Sequence, residues 1–305
     1  MIKRKILAIY LVLILLSIMP IATSVQVSIK ENKKINITSS DEKENWVVII
    51  CGGANDDRPN MFYADSKPIR KAAQHVYETY KNLGYDDNHI YYLHDRDASE
   101  EGVDGVVNKS MVNYSINQWL STHSDSNDNC CIYLLSHGSR EKYIAVWNNK
   151  STHYEHIFDY EFAQWADNIN CSICTIVLDA CHSGGFIKAL SKNNRIIITS
   201  TSWFLWGFAL NESIFSYHFL NKLAENNSYG AAWEYADKQL LRIKTPDISA
   251  SPLILRIFIK IAIFAFENPK IDDNGDGIGY GRIFRADKLK SIRGDGSLAL
   301  QTYPS

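Results

Sequence analysis

The chain has 305 residues, of which 46% are hydrophobic and 12% aromatic, and it carries a formal net charge of −2. This hydrophobic fraction excludes an intrinsically disordered chain, and the length suffices for one large domain with appendages and a substantial core. The near-neutral charge offers no extended basic surface for nucleic-acid phosphates, so we expect no nucleic-acid partner.

The N-terminal residues 1–24 have the pattern of an export signal. A basic start, MIKRK, precedes the apolar run ILAIYLVLILLSIMPIA, and small residues at 22–24 suit a cleavage site. The run is also close to the minimum length of a membrane-spanning helix, so a retained anchor is the alternative to a cleaved signal peptide. Either form predicts a secreted protein or one at the extracytoplasmic cell surface, and the anchored form implies membrane association. Residues 25–44 are polar and indicate a solvated linker.

Residues 45–245 alternate between short apolar runs and amphipathic segments. Runs rich in β-branched residues predict strands at 46–51, 89–93, 131–135, 175–179 and 195–199. Apolar residues at helical spacing predict helices from a cap at Asp65 or Ser66 to Gly84, over 112–120, over 158–169, after Gly185, and over 213–225 and 229–243. Because the strands are apolar on both faces, we predict an α/β fold with a doubly wound, mostly parallel sheet sandwiched by helices.

Two of these strands lead into side chains that can do chemistry. The third strand precedes His137-Gly138, and the fourth leads through Asp179 towards Cys181. Functional sites gather at the carboxyl ends of parallel strands, so neighbouring strands would bring His137 and Cys181 face to face. A histidine beside a thiol favours the reactive thiolate and can later protonate a leaving amine. The pair therefore predicts nucleophilic catalysis.

The surroundings of this pair have expected roles as well. The backbone amides of Gly138 and Cys181 are candidates for holding the oxyanion of a tetrahedral intermediate. A helix beginning after Cys181 would lower the pKa of the thiol with its positive end. His182 adjoins the nucleophile and is expected to point away from it, and Ser183 lacks the G-x-S-x-G context of a serine nucleophile.

Two sequence blocks, YLLSHGS and LDACHSG, occur in this order and each at a predicted strand end. They resemble the histidine and cysteine blocks of the cysteine peptidases of the caspase-like fold, which include legumains, caspases, metacaspases and gingipains. WVVIICGG and the helix after it are similar to the start of legumain-type enzymes, while DACHSGG resembles the metacaspase version. The resemblance covers about residues 45–240. It implies a caspase-like fold, with His137 as catalytic histidine, Cys181 as nucleophile and Gly138 as oxyanion glycine.

The resemblance also implies substrate-binding residues. Asp179, two positions before the nucleophile, corresponds to the residue that borders the S1 pocket, and the segment through Ser202 corresponds to another pocket wall. Legumains place an Arg-His pair after the first strand for their asparagine pocket, whereas this chain has FYAD at 62–65. An acidic pocket formed by Asp65 and Asp179 would favour a basic P1 residue, as in metacaspases.

Together these features predict an exported cysteine endopeptidase that hydrolyses protein or peptide substrates with a His-Cys dyad and needs no cofactor for that chemistry. A transamidase that uses the same dyad with an amine acceptor is one alternative. A non-catalytic binding protein of the caspase fold is the other. The sequence leaves the P1 preference, the physiological substrate and the oligomeric state open.

Five further cysteines lie outside the predicted dyad. Four of them stand near the starts of the third and fourth strands, namely Cys130, Cys131, Cys171 and Cys174. In an exported protein these residues predict one or two disulfides at the end of the sheet opposite the active site, with a zinc site or free thiols as alternatives. Cys51 is expected to be a buried free thiol.

Residues 246–305 form a predicted C-terminal extension with two notable segments. The apolar run at 253–266 predicts a buried helix or strand, with a membrane-surface helix as the alternative. In IDDNGDGIGYG, the residues Asp272, Asn274 and Asp276 match the first half of a calcium loop, but the twelfth position is Ile283 instead of glutamate. The alternatives are an Asp/Gly turn and a partial Ca²⁺ site completed by a distant oxygen such as that of Asp287.

Overall fold

The computed structural model of the chain describes residues 42–53, 66–95, 101–147, 154–207, 209, 212–242, 267–281 and 295–305. All of them belong to one compact unit, residues 41–305. Several sequence predictions lie outside the described residues: the signal or anchor at 1–24, most of the linker at 25–44, Asp65, the apolar run at 253–266, Ile283 and Asp287.

The described strands form two sheets. Their bounds are β1 Asn45–Cys51, β2 Ile90–His94, β3 Gly105–Val106, β4 Asn129–Leu135, β5 His137–Gly138, β6 Tyr143–Val146, β7 Glu155–Phe158, β8 Ile173–Asp179, β9 Arg195–Thr199 and β10 Lys270–Asp272. The main sheet has the order β10-β9-β8-β4-β1-β2-β3 and is parallel except for β10, which pairs with β9 in the antiparallel sense. The five predicted strands are all part of this sheet.

Helices cover both faces of the main sheet. Their bounds are α1 Lys67–Asn82, α2 Lys109–Tyr114 with a π-helical continuation Ser115–Leu120, α3 Asp159–Ala166, α4 Ile187–Leu190, α5 Ile214–Leu223 and α6 Tyr229–Arg242. Helices α1, α5 and α6 pack on one face, and α2, its continuation, α3 and α4 pack on the other. The prediction of an α/β fold with a mostly parallel, doubly wound sheet is confirmed. None of the described helices combines the length and hydropathy needed to cross a membrane.

The apolar character of the strands follows from this double cover. In β1, the side chains of Val47 and Ile49 enter one core cluster, while those of Val48 and Ile50 enter the other. Successive side chains of a strand point to opposite faces, so a strand buried on both faces must be apolar at every position.

Two parts of the architecture differ from the sequence expectations. Strands β5, β6 and β7 form a small antiparallel sheet that was not predicted. Strand β10 comes from beyond residue 245, so the main sheet reaches into the predicted C-terminal extension. Both involve strands of two to four residues, which have too little local sequence signal and depend on their pairing partners.

All six cysteines lie within the described residues and are free thiols, so the predicted disulfides are absent from the structure. The expected proximity does occur, because Cys130 and Cys174 are register partners in β4 and β8. Cys131 points to the opposite face, where its sulfur accepts a 3.0 Å hydrogen bond from the hydroxyl of Tyr80. Cys51 is buried, in agreement with the prediction.

We expect His218 on α5 to make the fold sensitive to acid. His218 is only 5% exposed, and burial lowers the pKa of its imidazole from 6.5 to about 4. Between these two pH values the unfolded chain binds a proton at His218 that the folded chain does not bind. The contribution of the neutral, buried imidazole to the free energy of unfolding is therefore complete above pH 6.5 and is lost as the pH falls towards 4. The loss amounts to about 3 kcal/mol.

Thermal unfolding measured from pH 7 to pH 4 tests this expectation. The stability of His218→Gln should decline less steeply with acid than that of the wild type, because glutamine does not titrate. His123 is exposed, so His123→Gln provides the matched control and should keep the wild-type slope. Equal slopes for His218→Gln and the wild type would contradict the assignment.

Candidate active site

The two sequence blocks meet at the carboxyl end of the main sheet. Strands β4 and β8 are parallel neighbours, with Leu135 paired to Asp179 in the register. The amide of Ser136 donates a 3.1 Å hydrogen bond to the carbonyl of Asp179, so the pairing continues past the strand ends. His137 and Cys181 therefore leave adjacent strands at the same edge of the sheet. The condition under which the sequence predicts proximity of His137 and Cys181, namely that their strands are neighbours, is met.

The small antiparallel sheet holds the backbone of His137. In it, His137 is paired with Ala145 and Gly138 with Ile144. The hydroxyl of Ser136 also donates to the carbonyl oxygen of Ala145. The histidine backbone is thus held between two sheets, which limits its freedom at the point where a catalytic base requires a defined position.

Gly138 packs directly on the turn that carries Cys181. A Cβ atom at this position would overlap the carbonyl oxygen of Cys181 and press on the side chain of Ala180. The glycine therefore permits a backbone-to-backbone contact between the two blocks that no other residue allows. This contact places the amides of Gly138 and Cys181, the expected oxyanion donors, in the same small region.

Cys181 is half-buried, and its sulfur lies 3.9 Å from the carbonyl oxygen of Gly207. Burial raises the pKa of the thiol, and the negative charges of Asp179 and Glu267 act in the same direction. The expected lowering by a helix is not found, because only a 3₁₀ turn and the four-residue α4 follow the cysteine. The resting thiol is therefore protonated and needs a base.

The neighbours of the cysteine have structural partners. His182 adopts a left-handed conformation, with φ of 59°, and its Nδ1 lies 3.2 Å from the carbonyl oxygen of Trp203. Its amide donates to the carbonyl of Leu205 at 2.9 Å. The hydroxyl of Ser183 donates to the carbonyl of Thr201 at 3.4 Å. These contacts attach the cysteine turn to the loop after β9.

Asp179 lies beneath this turn and is buried. The hydroxyls of Ser213, the N-cap residue of α5, and of Ser216 within α5 donate to its Oδ2. Burial raises the pKa of the carboxyl and outweighs these hydrogen bonds, and the nearby charge of Glu212 adds to the increase. Of the other predicted substrate-binding residues, Asp65 lies outside the described residues and Ser202 lines a cavity.

This cavity of about 420 Å³ opens beside the turn after Cys181. Four basic side chains line it, namely Arg140, Lys142, Lys188 and Lys270, and no carboxylate belongs to its described lining. Two buried polar groups also face it: the Ser202 hydroxyl and the Asn268 amide, for which the described residues provide no hydrogen-bond partner. The cavity thus combines positive charge with unused hydrogen-bonding capacity.

The rim of the cavity carries aromatic residues that were not singled out in the sequence. Trp203 and Phe204 line it and are 60% and 38% exposed, and nearby Trp206 is 50% exposed. The sequence does contain an indication of this surface, because the aromatic run WFLW follows the polar residues at the end of β9. Large apolar side chains in a loop that stay exposed are typical of a binding surface.

The Asp/Gly-rich loop follows β10 on the edge of the main sheet. Carboxylate oxygens of Asp272, Asp276 and Asp295 lie within 4.8 Å of one another. Burial raises the pKa of Asp295 to about 7, with a further contribution from Asp272. Asp272 and Asp276 were predicted from the sequence, whereas Asp295 was not, because it comes from a separate segment near the C-terminus.

Among the comparisons with known proteins, one family model matches the part of the chain that contains both sequence blocks. No curated protein matches the chain. Among solved structures, caspase-1 from Spodoptera frugiperda is similar, with a TM-score of 0.49 and 12% sequence identity over 76% of this chain and 86% of the caspase chain. Residues 106–217 match the model of the Peptidase C13 family. The segment that contains both His137 and Cys181 is therefore similar to a family of cysteine peptidases.

Proposed function

We propose that the chain is a cysteine endopeptidase in which Cys181 is the nucleophile and His137 the general acid-base. The observation that supports this most directly is the contact between the two strand ends. His137 and Cys181 follow adjacent parallel strands, and Gly138 packs against the Cys181 carbonyl. The match of residues 106–217 to the Peptidase C13 family adds support from sequence.

The proposed reaction assigns each proton to a group on this chain. The Cys181 sulfur attacks the scissile carbonyl carbon while its proton passes to His137, and the amides of Gly138 and Cys181 stabilise the oxyanion. His137 then protonates the leaving amine, which leaves a thioester on the sulfur. His137 then accepts a proton from water while the water oxygen attacks the thioester carbon. The C–S bond breaks, the carboxylic acid product departs, and His137 returns the proton to the Cys181 sulfur.

The raised pKa of Cys181 determines how this site would operate. A protonated resting thiol is a weak nucleophile, so its activation must occur when substrate is bound and His137 accepts the proton. Closure of the site by substrate also strengthens the interaction between the resulting imidazolium and thiolate, because water is excluded. These steps need no cofactor.

The proposed substrates are proteins or peptides outside the cytoplasm. The basic and apolar pattern of residues 1–24 supports export, with a cleaved signal or a retained anchor as its two forms.

Asp179 is proposed to select a basic P1 residue, because a buried carboxylate attracts a cation strongly. The basic cavity beside the cysteine turn is proposed to accept an acidic substrate residue at another position.

A peptide library tests activity and P1 preference together. We expect cleavage after Arg and Lys, with acidic residues enriched at one other position. Asp179→Asn should lower kcat/KM for basic P1 by about 10²-fold, because a buried cation then lacks its partner. Asp167→Asn is the matched control, since this carboxylate is 51% exposed, and it should leave kcat/KM unchanged.

The same assay can contradict the proposal in separate ways. Cleavage after Asn or Asp would reject the role of Asp179 while retaining the peptidase. Products that carry an added amine in place of water would identify a transamidase. Absence of any turnover, together with ordinary thiol reactivity at Cys181, would reject an enzyme.

A further inference from the structure

The loop after β10 has half of the ligand arrangement of a calcium site. Asp272, Asn274 and Asp276 occupy the first, third and fifth positions of D-x-N-x-D-G. Gly277 at the sixth position has φ of 74°, the left-handed conformation that the sharp turn of such loops requires. The usual twelfth-position glutamate is missing, so the loop alone cannot surround a cation.

Asp295 provides a carboxylate from outside the loop. Its side chain is only 2% exposed, and within the described part of the chain its Oδ2 atom is buried and has no hydrogen-bond partner. An oxygen of this carboxylate lies within 4.8 Å of those of Asp272 and Asp276. Burying an unpaired carboxylate beside two others is strongly unfavourable, and a cation bound between them would remove this cost.

Asp273 holds the segment that carries Asp295. Its two carboxylate oxygens accept hydrogen bonds from the amides of Gly296 at 2.7 Å and Ala299 at 2.8 Å. The position of Asp295 opposite the loop is therefore set by a residue of the loop itself. The carboxylate of Asp273 therefore has a structural role, whereas the Oδ2 atom of Asp295 is available to bind a ligand.

We infer that Asp272, Asp276 and Asp295 bind a Ca²⁺ ion together with the side-chain oxygen of Asn274. All of these donors are oxygens, and no thiol or imidazole belongs to the described cluster, which excludes a soft-metal site. Three carboxylates from two segments allow the irregular, high coordination number that Ca²⁺ accepts. Mg²⁺ demands near-ideal octahedral geometry and retains its water.

The site joins two parts of the fold that are distant in sequence. The loop extends β10, and the segment of Asp295 continues to Thr302, whose carbonyl accepts a 3.0 Å hydrogen bond from the amide of Tyr229 on α6. Gly277 and Gly279 also line the basic cavity beside the cysteine turn. Calcium binding would therefore stabilise the sheet edge, the C-terminal segment and one wall of that cavity.

Thermal unfolding of the purified 305-residue chain in EDTA and in CaCl₂ tests the inference, with calorimetric titration for affinity. At a free Ca²⁺ concentration a hundred times the dissociation constant, the Tm should rise by about 5–10 °C. Asp295→Asn should lose this shift and should match or exceed the wild-type Tm in EDTA, because the carboxylate repulsion is relieved. A merely structural Asp295 would instead lower the Tm under both conditions.

Two further variants keep the test decisive if Asp295→Asn does not fold. Asp276 is exposed, so Asp276→Asn should fold and weaken calcium binding at least tenfold. Asp87→Asn removes a carboxylate that is 69% exposed and should keep the full shift. A wild type without a calcium-dependent Tm, an Asp276→Asn variant with unchanged affinity, or an equal shift with MgCl₂ would overturn the inference.

Discussion

Replacement of either Cys181 or His137 with alanine is expected to lower kcat/KM for peptide hydrolysis by about 10⁴-fold or more. In the proposed mechanism the Cys181 sulfur forms the covalent intermediate, and its raised pKa favours the protonated thiol at rest. Loss of His137 would remove the base proposed to take this proton and the acid proposed to protonate the leaving amine. The double variant should be no worse than either single variant, because the two residues act as one unit.

Alkylation by iodoacetamide provides a second measurement that does not depend on knowing a substrate. The rate at Cys181 should fall by about 10²-fold in His137→Ala, the usual size of a general-base contribution. Cys171 is a partly exposed thiol in the same chain, so its alkylation rate is the internal control. Equal Cys181 rates with and without His137 would contradict the dyad.

His182→Asn is the matched control for the choice of histidine. His182 has a positive φ, which asparagine tolerates, and its ring contacts the carbonyl of Trp203. The variant should therefore retain kcat/KM within about tenfold of the wild type, a loss of about 1.4 kcal/mol or less in transition-state stabilisation. A loss of kcat/KM as large as that of His137→Ala would indicate that His182 acts as the general base.

Gly138→Ala is expected to have the second large effect. The added Cβ would overlap the carbonyl oxygen of Cys181, so the two strand ends must separate. Overpacking of this kind destabilises a fold by about 1–3 kcal/mol. Displacement of an oxyanion donor lowers kcat by about 10²–10³-fold. Both the Tm and kcat should fall. The loss of kcat should be larger than the decrease in the fraction of folded protein can explain.

Gly207→Ala adds the same methyl group at a glycine of the loop after β9 that faces the Cys181 turn with space available. A Cβ at Gly207 would lie 3.7 Å from the Cys181 amide nitrogen, an ordinary van der Waals distance. This variant should keep its Tm and most of its activity. If Gly138→Ala behaves like Gly207→Ala in both measurements, the close contact of the two blocks has no role in catalysis.

The strands of the main sheet and the candidate dyad were accessible from sequence because their signals are local. The run RIIIT coincides with β9, and the apolar runs before His137 and Cys181 correspond to β4 and β8. A strand buried on both faces must be apolar at every position, so its sequence alone identifies it. The order of the two blocks along the chain then pointed to the catalytic pairing.

Features that join distant segments were decided only by the tertiary structure. The small sheet that holds His137 consists of strands too short to have their own signal, and β10 depends on its pairing with β9. The pKa of the Cys181 thiol is also opposite to the expectation, because burial raises it and only a 3₁₀ turn and the four-residue α4 follow the cysteine.

The Asp/Gly-rich loop shows the same division. Its sequence established three oxygen donors in calcium-loop spacing, at Asp272, Asn274 and Asp276, but gave no candidate for the missing ligand among the described residues. Only the folded chain brings Asp295 to them, through the hydrogen bonds of Asp273. Spacing along a chain determines which neighbours can share a turn, whereas contacts across many residues exist only after the whole chain has packed.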